Sequence, residues 1–309
     1  MTVLIYRTLG LGAFLTAVPA YRAVHRAFPG ERVVLAAPAP LAPLVALTSA
    51  IARLAPTVEL CVPRRIRGGI TAVNLHGRGP ESHRVLQSLR PERVVAFACR
   101  EADVVGPSWV EQEHDVLRWV RLLTESGMAA DPRDLLLERP RVSPPSQGAT
   151  VVHPGAANPR CRWPEERFAR AAADLSRRGH HVVVTGVRRE RVLAERVTRR
   201  AGLPSDRNLA GLLDLGEMAA LVDAARVVVC GDTGVAHLAT AYATPSVVLF
   251  GPASPALWGP PADPRHRVIW HGEERRGRQI TPGSVTAIGI AEVLAAVDEV
   301  LLADTERSA

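Results

Sequence analysis

The chain contains no lysine: all 38 basic residues among its 309 are arginine, a usage that fits a GC-rich coding bias. The formal charge of +7 and the pI near 10.1 therefore come from guanidinium groups, scattered along the chain rather than gathered on one helix. Aromatic residues are also scarce, at 4%. The stacking platforms that single-stranded nucleic acid needs are largely missing, so the charge does not read as a nucleic-acid footprint. It reads as a solvated surface that helps to attract anionic substrates. Cys61, Cys99, Cys161 and Cys230 are the whole cysteine complement, with no CxxC pair and no histidine at zinc-finger distance. A reducing, cytoplasmic setting fits that pattern, and no metal site is indicated. Long apolar runs are missing too. None reaches the roughly 18 residues that suggest a membrane helix, and Gly10 and Gly12 interrupt the one stretch, Leu9 to Val18, with a faint likeness to a secretion signal.

What is present is a globular amount of apolar residues, 47% of a chain long enough for two domains. The first half alternates short β-branched runs with amphipathic stretches. Strands are expected at Val3 to Tyr6, Val33 to Ala36, Val58 to Val62, Ala72 to Leu75 and Val94 to Phe97. Helices are expected at Phe14 to Ala27 (with Pro19 tolerated inside), Leu41 to Leu54, Ser82 to Leu89 and Glu111 to Ser126. The Pro-rich, polar stretch from Glu138 to Gly148 then reads as a linker. The alternation restarts with strands at Thr150 to His153 and His181 to Thr185, and helices at Pro164 to Arg178, Glu190 to Ala201 and Leu215 to Ala225. Val268 to Trp270 reads as a late strand and Ser284 to Leu302 as a last helix. Two βαβ arrays joined by a linker predict an α/β protein of two Rossmann-like domains facing across a cleft, the usual place for a ligand. The expected parts are an N-terminal domain at 1–140, a C-terminal domain at 150–283, and a closing helix at 284–309 that packs back on the N-terminal domain.

The densest local signal is Val227-Val-Val-Cys-Gly-Asp-Thr-Gly-Val-Ala-His237, followed by Thr244-Pro-Ser-Val-Val-Leu-Phe-Gly-Pro252. A buried strand meets a glycine-rich turn, a helix starts at once, and a second strand follows. The turn offers backbone amides at a helix N-terminus, where unpaired N–H groups and the helix dipole suit a diphosphate. His237 lies off the apolar stripe, within reach of a ligand. Singly, Asp232 or Thr233 is as readily an N-cap, and Gly234 a residue that lets the turn close. Taken together, the cluster favours a site.

In these and further segments the chain resembles glycosyltransferase family 9, the ADP-heptose heptosyltransferases of lipopolysaccharide assembly and their actinobacterial relatives. The likeness runs through Leu9-Gly-Leu-Gly12, Thr16-Ala-Val-Pro19, Leu75-His-Gly-Arg-Gly-Pro80 and Glu113-His-Asp-Val-Leu-Arg-Trp119 in the first half. It continues through His153-Pro-Gly155, Arg162-Trp-Pro164, Asn208-Leu-Ala-Gly211, Gly231 to His237 and Leu249-Phe-Gly-Pro252 in the second. The resemblance implies a GT-B fold and inverting transfer of a sugar, heptose, from ADP-heptose as co-substrate, with no cofactor and no metal. It places Asp232, Thr233, Gly234, Val235 and His237 on the sugar and diphosphate. Arg160 and Arg162 are candidate phosphate ligands, and Glu190, at a helix start, is placed to meet a ribose hydroxyl or simply to cap that helix. Gly10 and Gly12 would let the first-domain loop approach the donor.

Two departures stand out. The family pattern implies an aspartate general base directly after the N-terminal Leu-Gly pair, and this chain has Ala13 there. It also implies a basic residue two before the tryptophan of the Trp-Pro pair, and this chain has Cys161, flanked by Arg160 and Arg162. A general base contributes about 10²–10⁴-fold to such a transfer. Three explanations stay open. Another group, among His76, His83, Asp103, Glu113 and His114, serves as base. Alternatively the acceptor is an amine or an acidic hydroxyl that needs little help, as in specialised-metabolite assembly. Or the chain binds a nucleotide-sugar or a partner enzyme without catalysing transfer.

Overall fold

In the computed structural model, which describes residues 2–64, 66, 69–275 and 278–308, the chain divides into two units, Met1–Glu138 and Arg139–Ala309. The division falls at the start of the Pro-rich stretch. Each unit is an α/β layer built on its own five-stranded parallel sheet.

The first unit runs β1 (Thr2–Tyr6), α1 (Leu11–Thr16), α2 (Val18–Ala27), β2 (Arg32–Ala37), α3 (Ala42–Val45), β3 (Arg53–Pro56), β4 (Ile70–Asn74), α4 (Glu81–Gln87), β5 (Arg93–Val95) and α5 (Asp115–Glu125). Its strands lie in the order β3-β2-β1-β4-β5. Val3, Leu4, Ile5 and Tyr6 are all fully buried, as expected of a central parallel strand covered on both faces.

Three expectations need correction here. The single helix through Pro19 is two helices, broken at Ala17, because proline lacks the N–H of a helix interior and fits only a first turn; Pro19 sits there in α2. The long helix from Leu41 to Leu54 is one short α-helix flanked by 3₁₀ turns, and its last residues belong to β3. The strand expected at Val58 to Val62 is an exposed loop: Leu60 takes a left-handed φ of 55°, and the edge beside β2 is already filled by β3.

The second unit runs β6 (Thr150–His153), α6 (Glu165–Arg177), β7 (Val182–Val184), α7 (Arg191–Arg200), α8 (Leu215–Asp223), β8 (Val227–Gly231), α9 (Gly234–Ala241), β9 (Ser246–Leu249), α10 (Pro255–Trp258), β10 (His266–Ile269), the antiparallel pair β11 (Glu273–Arg275) and β12 (Arg278–Thr281), and α11 (Ile290–Ser308). The sheet order is β10-β9-β8-β6-β7. α8 opens on a reciprocal capping box: Asp214 Oδ1 accepts from the Glu217 N–H at 2.8 Å, and Glu217 Oε2 accepts from the Asp214 N–H at 2.8 Å.

The closing helix belongs to the second unit's core: Val293, Val297 and Val300 of α11 are buried there with Trp163, Phe168 and Leu249. The apolar face of α6 and the sheet edge at β9 and β10 stand open without it, and α11 covers them. Trp163 Nε1 ties the approach to this helix by donating to the Ile288 carbonyl at 3.0 Å. The one-turn α10 and the charged pair β11–β12 carry no periodicity that a sequence pattern can register. Among the described residues no helix is long and apolar enough to cross a membrane.

Candidate functional site

In an open parallel sheet, the connections of two neighbouring strands that leave to opposite sides open a crevice at the strands' carboxyl ends. The order β10-β9-β8-β6-β7 puts that point between β6 and β8. Out of β6 come His153, Pro154 and Gly155 and the turn at Asn158 to Arg162; out of β8 come Asp232 and Thr233, and α9 starts. The two segments touch. A Cβ on Gly231 would lie 3.0 Å from the Cys161 carbonyl oxygen, and one on Gly251, after β9, 3.1 Å from that of Arg160. Glycine is needed at both places because another backbone crosses the strand ends.

At this crossing Thr233 is the N-cap of α9 in extended conformation, yet its side chain makes no capping bond, and its hydroxyl oxygen is buried without a hydrogen-bond partner. By helix geometry the first amides, at Gly234 and Val235, have no carbonyl acceptor behind them. Asp232 beside them is mostly buried, and burial alone pushes its carboxyl up to about 6 from the ordinary 3.8. The same low-polarity surroundings, then Asp232, push the Cys161 thiol up, so it stays protonated. Cys230 behind it, fully buried, is pushed up to about 12 and is a core residue. His237, half-buried one turn into α9, has its ring 6.4 Å from that of Trp258, edge to face.

The two flanking arginines have different tasks. Arg162 gives Nε and Nη2 to the Ala156 carbonyl, at 2.9 and 2.7 Å, and so braces the turn. Arg160 is exposed, with no carboxylate partner among the described residues. Glu190 is buried: its Oε2 accepts from the Val187 N–H at 2.9 Å, and its carboxylate lies against Gly155, where a Cβ would come within 2.2 Å of it. Beside it, His153 contacts the Thr185 hydroxyl at 3.0 Å, and burial, opposed by Glu190, lowers its imidazole to about 4. The Asn208-Leu-Ala-Gly211 segment closes the edge. Gly211 has a φ of +71°, donates to the Gly186 carbonyl at 2.8 Å, and leaves no room for a side chain against Arg188.

In the first unit the corresponding point lies between β1 and β4. Arg7 and Thr8 follow β1, and Leu75 and His76 follow β4. Arg7, 1% exposed, donates through Nη2 to Asp115 at 2.7 Å and to Thr16 at 3.1 Å, and also to the carbonyls of Ala13 and Leu75. Its guanidinium lies 4.7 Å from the centre of the Trp119 ring. Burial alone would raise Asp115, but Arg7, the Thr16 hydroxyl and Arg118 outweigh it and hold the carboxyl below its ordinary range. Ala13, in α1, therefore presents a braced carbonyl and a methyl. Gly10 caps α1 with open space around its Cα, and Gly12 lies in the first turn.

The alternative base candidates separate by environment. His83 is fully buried, with Nε2 at 2.8 Å from the Phe97 carbonyl, and Gly79 makes room for its ring. Glu113 is held by both Nε and Nη2 of Arg121 at 2.8 Å. His114 is the N-cap of α5, its Nδ1 accepting from the Val116 N–H. Asp103 sits in a left-handed turn. His76 follows β4, beside Thr8 of the β1 end, and its ring is only partly buried.

The profile of glycosyltransferase family 9 (heptosyltransferase) matches residues 98–282, well over half of the chain. The chain belongs to glycosyltransferase family 9. Among curated relatives, lipopolysaccharide heptosyltransferase 2 of Salmonella typhimurium is 35% identical over 122 residues, which cover 38% of this chain and 34% of that protein. The matched stretch thus spans about a third of that relative's length. Among solved structures, the glycosyl transferase family 9 protein of Veillonella parvula superposes with a TM-score of 0.79 at 17% identity, covering 97% of each chain. The ADP-heptose lipopolysaccharide heptosyltransferase II of E. coli superposes with a TM-score of 0.77 at 21% identity, over 99% of this chain and all of that one. At such identities the likeness carries the fold, α/β with two parallel sheets.

The structure also pairs residues to which the sequence pattern gave no individual role: Arg7 with Thr16 and Asp115 in one unit, His153 with Thr185 in the other. An Arg directly after a fully buried strand is the one sequence signal that marks such a group, since a charge there must find a buried partner.

Proposed function

We propose that this family 9 chain is an inverting, metal-independent glycosyltransferase that takes heptose from ADP-heptose. The acceptor belongs to specialised-metabolite or cell-envelope glycoconjugate assembly, and the reaction takes place in the cytoplasm. The observation that carries the reading is the switch point of the second unit. There an uncapped helix N-terminus, a buried unpartnered hydroxyl and a carboxylate with no cation beside it converge. Such a set is unfavourable when empty and favourable around a sugar diphosphate. The amides of Gly234 and Val235 and the Thr233 hydroxyl donate to phosphate oxygens, and Arg160 adds charge from the adjacent turn. Asp232 accepts from sugar hydroxyls and His237 supports the departing diphosphate. Glu190, presented at the end of β7 by Gly155 and Gly186, meets the ribose. Catalytic gain comes from positioning and from stabilising the leaving diphosphate. The E. coli structure named for ADP-heptose supports this choice of donor.

A second reading, a nucleotide-sugar-binding homologue without turnover, rests on Ala13, whose side chain carries no proton acceptor. Calorimetric titration tests the donor site. Wild type is expected to bind ADP-heptose more tightly than ADP, and Asp232→Ala to reduce that preference by about tenfold, the worth of one hydrogen bond to a charged group. An unchanged preference, or no ADP binding by wild type, overturns the assignment.

A further inference from the structure

The first unit's switch point holds a group that the donor site does not use. His76 leaves β4 beside Thr8, which leaves β1, and the hydroxyl of Thr8 lies 3.3 Å from His76 Nδ1. The Asn74 side chain accepts from the His76 N–H at 3.0 Å and fixes the backbone there. The Tyr6 ring packs beside the imidazole at a tilt of 53°, 5.5 Å away centre to centre. Its Nε2 faces Glu59 of the exposed loop after β3, at 3.9 Å. We propose that His76 is the catalytic base of this chain, taking the proton of an acceptor bound at the carboxyl ends of β1 and β4. This rests on the transferase reading above.

The roles follow from the two ring nitrogens. In the reactive tautomer Nδ1 carries the proton and gives it to the Thr8 hydroxyl, 3.3 Å away, which leaves the lone pair on Nε2. As the acceptor oxygen or nitrogen forms its bond to the anomeric carbon, its proton passes to Nε2. The bond from that carbon to the diphosphate breaks, and the electron pair leaves with ADP. Glu59, a carboxylate 3.9 Å from Nε2, stabilises the imidazolium so formed. The groups around the ring set its titration. Burial lowers the imidazole below its ordinary 6.5, Glu59 raises it, and Arg7 of the β1 end lowers it. The ring is therefore neutral, and able to accept, at neutral pH. His83, also lowered and 3.3 Å from Asn74 at the end of β4, is fully buried with its Nε2 on the Phe97 carbonyl, so it offers an acceptor no free nitrogen.

The test follows ADP release from ADP-heptose, with water, sugar alcohols and amines as acceptors, alongside ADP affinity. His76→Gln is expected to lower kcat by about 10²–10⁴-fold with ADP affinity and melting temperature unchanged. In wild type kcat should fall as pH drops through a value below 6.5, and His76→Gln should remove that limb. Glu59→Gln, on an exposed loop, should move the limb to lower pH, and so serves if the first variant folds poorly. Near wild-type turnover in His76→Gln with the limb retained, or a limb that Glu59→Gln leaves in place, overturns the base assignment alone. No ADP release by wild type overturns the transferase reading as well, whereas ADP binding separately tests the donor site.

Discussion

Asp232→Asn should make the protein more stable, and only above a certain pH. The Asp232 carboxyl is raised from 3.8 to about 6 by burial, with no cation to offset the cost of its charge. Each unit of such a shift corresponds to about 1.36 kcal/mol. The shift of roughly two units implies that the ionised group opposes folding by about 3 kcal/mol at pH 8, or nearer 2 kcal/mol once water reaching its exposed edge is allowed for. The sign is opposite to that of a salt-bridged carboxylate. Between its unfolded and folded values the folded state binds the extra proton, so wild type loses stability as pH rises from about 4 to about 6 and pays no such penalty below. Asparagine keeps the shape and removes the charge. Urea unfolding of both proteins at pH 4.5 and 8, followed by a probe in the second unit, should show a gain for Asp232→Asn of about 2–3 kcal/mol at pH 8 that shrinks to about a third of that at pH 4.5. For a unit of this size, each kcal/mol is worth roughly 2–4 °C in Tm. Preference for ADP-heptose over ADP should fall at the same time, the usual exchange between stability and function at a binding site. A destabilisation of equal size at both pH values would refute the reasoning, because it would mean that the carboxylate is already satisfied by neighbours.

Two further outcomes test other parts of the molecule. Asp115→Asn leaves Arg7 buried without its carboxylate, so a loss of about 3–5 kcal/mol in chemical denaturation at neutral pH is expected. Since the Asp115 carboxyl is held below its ordinary value, that contribution is present above pH 3.8 and is lost as pH falls through the lowered value. Gly155→Ala puts a methyl 2.2 Å from the Glu190 carboxylate and should weaken ADP binding by about tenfold, or about 1.4 kcal/mol. Gly231→Ala meets the Cys161 carbonyl at 3.0 Å and should cost less. Equal affinities for all three proteins would place Glu190 and the crossing turn away from the nucleotide.

Much of the site was readable because its signals are local. A β-branched run, a glycine-rich turn and an immediate helix can be recognised within the Val227 to His237 segment, and the structure builds β8, the turn and α9 from it. Elsewhere local pattern misled. Leu41 to Leu54 has helical periodicity, but the edge of the sheet beside β2 draws Arg53 to Pro56 into a strand, since a paired strand satisfies backbone groups that a continued helix would leave over the sheet. The apolar stripe of α11 was legible as a stripe, but a stripe does not name what covers it. Its place on β9, β10 and α6 is a matter of which apolar surface of the second unit stood open.

By itself, then, the sequence determined two α/β units, the Pro-rich junction between them, and the glycine-rich turn between β8 and α9. Each depends on neighbours within a few positions. Tertiary structure alone decided which strands lie side by side, and so which loops meet at each switch point. It put Cys161 over Gly231, Glu190 against Gly155, and the Thr8 hydroxyl beside His76, pairs separated by tens of residues. It also decided protonation. Asp232, His76 and Asp115 are ordinary side chains in the sequence; burial and the charge of neighbours, neither visible along the chain, push the first up and the other two down.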